Sequence, residues 1–142
     1  MDKGTSTARY RCSATLSSLR EMVQFIKKQA LKVGVGQEDA DKIELATEEV
    51  LINIIEYGFP EKEAGTIEIV CKVPEDHHLK IVIADDGIPF NPLECHKIDI
   101  TAPLEERNYG GYGVHIVRTI MDDIEYRREE EKNILTLTKS LK

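Results

Sequence analysis

The chain has 142 residues, 41% of them hydrophobic, which fits one globular domain with a real core and excludes disorder as its main state. A formal net charge of -7 with no strong basic run argues against a general nucleic-acid binder or a membrane-surface protein, and leaves protein partners open. Cys12, Cys71 and Cys95 show no CxxC spacing, and no stretch approaches the roughly 20 apolar residues of a spanning helix, so the expected setting is a reducing cytoplasm.

A polar tail over residues 1–8 leads into a brief strand, Ala8 to Thr15. Ser17 or Ser18 can cap a helix running through Leu19, Met22, Val23, Phe25, Ile26 and Ala30 to a stop at Gly34-Val35-Gly36. Gln37 to Tyr57 forms a second helix, closed by Gly58 and Pro60. Ile43, Ala46, Val50, Ile54 and Tyr57 make its buried stripe, and Asn53 falls at the stripe's edge.

From Thr66 the period changes to two. Ile67, Ile69, Cys71 and Val73 point one way, Pro74 to His78 turns the chain, and Leu79 to Ala84 returns as the second arm of a hairpin. Asp85 to Asn108, with Pro89, Pro92 and Pro103, reads as a long loop. A short helix, Val114 to Met121, precedes a second hairpin in which Ile124 to Arg128 pairs with Ile134 to Thr138. The order β, α, α, β, β, loop, α, β, β predicts an α+β fold: a two-layer sandwich, one domain over 1–142, with helices on one face of a mostly antiparallel sheet.

Three separated segments outline a nucleotide site. Glu49 and Asn53 lie one helical turn apart, so a carboxylate and an amide share a face and can serve a metal-bound phosphate. Glu49 can take a proton from an attacking hydroxyl, whereas Glu48 lies about 100° round the helix. A solvated acidic face is the alternative for Glu49, and a backbone bridge for Asn53. Asp85-Asp86-Gly87 leaves the end of an apolar strand, where Asp85 can accept a hydrogen bond from an adenine amino group, Gly87 allows close backbone approach, and Ile88 and Phe90 can wall the base. An ordinary turn is the other reading there.

Gly110, Gly111 and Gly113 open the short helix and can cradle phosphates on bare N–H groups, with Arg107 placed to meet their charge; a hinge and a surface arginine are the alternatives. His77, His78, His96 and His115 have no metal-cage spacing. The chain lacks GxxxxGK[ST], HRD, DFG and GxSxG, so P-loop enzymes, eukaryotic-type kinases and nucleophile-elbow hydrolases are not supported.

These segments resemble those of the GHKL (Bergerat-fold) ATPases and, within them, the small bacterial anti-sigma factor serine/threonine kinases. Glu49-Val50-Leu51-Ile52-Asn53 is similar to the N box, Asp85 to Pro92 to the first glycine box, and Gly110 to Val114 to the second. The likeness runs from about Arg11 to Lys139. It implies ATP and Mg²⁺ as cofactors, with Glu49 as general base, Asn53 on Mg²⁺, Asp85 on adenine, and Thr136 in the last strand supporting the adenine contact. It further implies phosphorylation of a small anti-anti-sigma (STAS-like) protein, sequestration of a sigma factor, and a homodimer. An ATP-gated binding module without kinase activity is the alternative. Pro89 stands where a DxGxG box has its second glycine, and Tyr57 stands where many such kinases carry histidine.

Overall fold

The computed structural model describes residues 6–59, 65–73, 77–93, 115 and 117–141. The elements are β1 (Ser6–Ser13), α1 (Leu16–Lys32), α2 (Gln37–Tyr57), β2 (Thr66–Val73), β3 (His78–Asp85), β4 (Asp123–Glu129) and β5 (Lys132–Ser140). Residues 115 and 117–120 are helical, within the short helix expected there. α2 has the predicted limits. β1 begins at Ser6, so three residues assigned to the tail belong to the sheet, where Ala8 pairs with Cys71.

All strand pairs are antiparallel, in the order β1-β2-β3-β5-β4. The second hairpin docks through β5, whose Leu135 and Leu137 are buried, and leaves β4, whose Asp123, Glu125, Arg127 and Glu129 are exposed, as an edge. Apolar residues favour the inner strand, and charges on the outer one discourage pairing with another chain.

Register aligns the inward side chains in cross-strand rows. Ala8, Cys71, Ile81, Leu137 and Ile124 form one row, and Tyr10, Ile69, Ile83, Leu135 and Tyr126 the next. The third row is Cys12, Ile67, Asp85, Asn133 and Arg128, so apolar and polar residues share a line at the end of the sheet. Met22, Val23, Ile26 and Ala30 of α1, with Ile43, Ala46, Val50 and Ile54 of α2, close over this face. Each large apolar side chain so buried contributes roughly 1.5–3 kcal/mol.

α1 starts earlier than expected. Thr15 is its N-cap residue, with Oγ1 sharing hydrogen bonds with Ser17 and Ser18 hydroxyls at 3.0 and 3.1 Å, so both serines lie inside the first turn. It ends where Gly34 takes φ 104°, a backbone shape that needs glycine, and the Val35 N–H returns to the Ala30 carbonyl at 3.0 Å. Lys27 then ties α1 to α2 through Asp41 at 2.8 Å and Glu44 at 3.0 Å.

Tyr57 leaves the stripe in which it was expected. It is 41% exposed, with its ring centroid 5.9 Å from that of Phe90. Asn53 moves the other way, from the stripe's edge to 1% exposure.

Candidate nucleotide site

The end of α2 and the loop after β3 are built as one unit. The Ile88 N–H donates to the Gly58 carbonyl at 3.0 Å, and the Asn53 Nδ2 donates to the Pro92 carbonyl at 3.2 Å. Gly58 and Gly87 meet backbone to backbone, and a Cβ on Gly87 would collide with the Gly58 carbonyl oxygen. The missing Cβ of Gly87 therefore allows the turn that carries Asp85 to touch the end of the helix.

Asp85 is 3% exposed. Its Oδ1 accepts from the Gly87 N–H and from Asn133 Nδ2, both at 2.9 Å. Burial pushes its carboxyl above the ordinary aspartate range. The bonds from Asn133 and Gly87 pull it down, Asp86 pushes it up and Arg128 pulls it down. Both hydrogen bonds fall on Oδ1, and Oδ2 makes none among the described residues, which leaves it as the acceptor available to a donor.

The loop owes its shape to β4 and β5. Asn133, 2% exposed, donates from Nδ2 to the Ile88 carbonyl at 2.7 Å and accepts at Oδ1 from the Phe90 N–H at 3.1 Å and the Tyr126 hydroxyl at 2.6 Å. Arg128 donates to the Gly87 carbonyl at 2.8 Å, and Asp86 accepts from the Thr66 N–H at 2.8 Å. Ile88 is held by its backbone and is 47% exposed, an apolar residue three positions from Asp85.

On α2, Glu49 is half-buried, whereas Glu48 is exposed. Burial raises the Glu49 carboxyl above its usual range, and Glu56 and Glu48 add to the shift. No positive group pairs with Glu49 among the described residues. A raised, unpaired carboxylate is a better proton acceptor than a surface glutamate. Asn53 is one turn on. With Nδ2 used by Pro92, its Oδ1 makes no hydrogen bond among the described residues and is the atom a hard cation would take.

A magnesium ion fits this donor set only in company. No group of three or more His, Cys, Asp or Glu that could hold a metal occurs among the described residues. An ion that keeps waters and binds mainly phosphate oxygens needs no such cage.

Glu49, Asn53, Asp85, Gly87, Ile88 and Phe90 thus lie on α2 and the loop bonded to its end. Arg107, Gly110, Gly111 and Gly113 lie outside the described residues. Thr136 is not brought to Asp85. It pairs with Val82, three residues from the Asn133 that pairs with Asp85, and an odd separation in a strand puts it on the opposite face, roughly 10 Å along. Asn133, not Thr136, is the β5 residue bonded to Asp85, and sequence reasoning missed it. The available signal was an amide at the same parity as Leu135 and Leu137, where a core-facing polar group must find partners.

A histidine kinase-like ATPase family model matches residues 12–139, and the chain belongs to that GHKL family. Among curated relatives it is similar to the serine-protein kinase RsbW of Bacillus mycoides (strain KBAB4), 31% identical over 110 residues covering 75% of this chain and 68% of the relative. RsbW of Bacillus cereus (strain Q1) is 32% identical over the same length and coverage. Among solved structures, the RsbU and RsbW domains of Rv1364c from Mycobacterium tuberculosis superpose with a TM-score of 0.66 at 15% identity, covering 95% of this chain and 32% of that one. The histidine kinase domain of Erythrobacter litoralis EL346 gives 0.57 at 19% identity, covering 87% of this chain and 61% of that one. These two likenesses speak to the fold. No described helix is long and apolar enough to cross a membrane.

Proposed function

We propose that this chain is an ATP- and Mg²⁺-dependent serine/threonine protein kinase that phosphorylates a small anti-anti-sigma (STAS-like) protein and holds a sigma factor, as a cytoplasmic homodimer. Its relatives named serine-protein kinases support the reaction class. The observation that carries the reading is Glu49: a half-buried carboxylate without a positive partner among the described residues, one turn from a buried amide.

In this reading Glu49 accepts the proton of the incoming hydroxyl, and Asn53 Oδ1 holds the ion. Asp85 Oδ2 accepts the base's amino group while Ile88 and Phe90 flank its ring, and Arg107, Gly110, Gly111 and Gly113 meet the phosphates. The ion, when bound, supplies charge neutralisation between phosphate oxygens. The loop is pinned by Asn133, Tyr126 and Arg128 before the base binds, which lowers the entropy lost on association.

The test is incubation with radiolabelled ATP, Mg²⁺ and each small anti-anti-sigma-like protein from the same genome, beside Glu49→Gln. Label on one partner's serine or threonine, reduced about 10²- to 10⁴-fold in the variant with nucleotide still bound, is the expected outcome. Equal loss of transfer and binding would sink the base assignment. ATP bound with no label on any partner would favour a nucleotide-gated binding module.

A further inference from the structure

The amide of Asn133 has no freedom of role. The Phe90 N–H can only donate and the Ile88 carbonyl can only accept, so the atom 3.1 Å from Phe90 must be Oδ1 and the atom 2.7 Å from Ile88 must be Nδ2. The Tyr126 hydroxyl, 2.6 Å from that Oδ1, must then donate to it. The second Nδ2 hydrogen goes to Asp85 Oδ1, which also takes the Gly87 N–H. Two donors on one carboxylate oxygen leave no place for a proton there, so Asp85 meets a ligand through Oδ2 alone.

Resting on the nucleotide reading above, we propose that Tyr126 and Asn133 are positioning residues that set base specificity, by locking Asp85 so that Oδ2 selects a purine carrying an amino group at C6. A 6-oxo purine would bring an oxygen lone pair against the carboxylate oxygen. The lock lies in the sheet: Asn133 is the cross-strand partner of both Asp85 and Arg128, and Tyr126 reaches it from the adjacent row. Without the Tyr126 hydroxyl, Oδ1 keeps only its longer bond, the one from Phe90, and the amide gains freedom to turn.

ADP and IDP differ in the amino or oxo character of C6 and carry the same phosphates. Calorimetric titration of the whole chain with each, in wild type, Tyr126→Phe and Asn133→Ser, separates specificity from general damage. Wild type should favour ADP by about 10- to 100-fold, the range for a hydrogen bond to a charged group. Tyr126→Phe should narrow that ratio by about threefold or more, with ADP binding weakened more than IDP binding and the melting temperature moved by no more than about 4 °C. Asn133→Ser should narrow it further. Affinities that fall together with the ratio intact would overturn the proposal and leave a purely structural role for both residues. Wild type that binds neither nucleotide would overturn the nucleotide reading itself.

Discussion

Replacing Asn133 by leucine removes four hydrogen bonds and leaves a side chain of similar size. The Ile88 carbonyl, the Phe90 N–H and the Tyr126 hydroxyl each lose a neutral bond, and Asp85 Oδ1 loses one of its two donors. Neutral bonds contribute about 1 kcal/mol each and one to a carboxylate about 1.5–3, a gross loss of about 5 kcal/mol. Burial of leucine returns about 1.5–2 kcal/mol, so the net loss should be about 3 kcal/mol. Against a total of roughly 5–15 kcal/mol this is large, and the melting temperature should fall by about 10 °C. The chain has no tryptophan, so urea unfolding is best followed by far-ultraviolet circular dichroism. Thr136→Val, on the opposite face, should stay within about 0.5 kcal/mol of wild type. A loss below about 1 kcal/mol in Asn133→Leu, or an equal loss in Thr136→Val, would refute the assignment of Asn133 as the residue that holds the Asp85 loop.

Glu49→Gln should stabilise the free protein at neutral pH. The folded-state pKa is raised, so the native carboxylate is unfavourable above that pKa, and the gain should shrink as pH falls through it and vanish below the ordinary value of 4.5; thermal melts across pH would show this. ADP binding should weaken on acidification, starting above the 3.8 of an ordinary aspartate, because protonation at Oδ2 removes the acceptor. Asn133, the Gly87 N–H and Arg128 oppose that protonation while burial and Asp86 favour it, and an ADP affinity flat down to pH 4 would count against Asp85 as the base contact. Gly87→Ala should lower both stability and ADP affinity, since its Cβ would collide with the Gly58 carbonyl; unchanged melting and binding would mean the loop can move off α2 at no penalty. Glu130 and Glu131 form the β4–β5 turn with φ of 51° and 65°, so Asn-Gly there should raise stability by about 1 kcal/mol in urea titrations, and no gain would show that the charged turn is unstrained.

Local pattern was enough for the elements and for the placement of half of the candidate residues. The limits of α2 follow from a 3.6-residue stripe that ends in Gly58, and the β2–β3 hairpin follows from the alternation of buried Ile67, Ile69 and Cys71 with the less buried Glu68, Val70 and Lys72. Glu49 with Asn53, and Asp85 with Gly87, were legible because each pair lies on one element or one turn, where spacing alone sets which side chains share a face. Thr136 was a misreading of a different kind. Nothing within β5 says which of its residues stands opposite Asp85, a matter of register between strands 48 residues apart in the chain, counting from Asp85 to Asn133. Only the tertiary structure decided that register, together with the burial that raises Asp85 and Glu49, the meeting of Gly58 with Gly87, and the lock formed by Tyr126 on Asn133. The reason is that sequence periodicity fixes direction within an element, whereas partners across elements are selected by how whole faces pack and by the need of every buried polar atom for a partner.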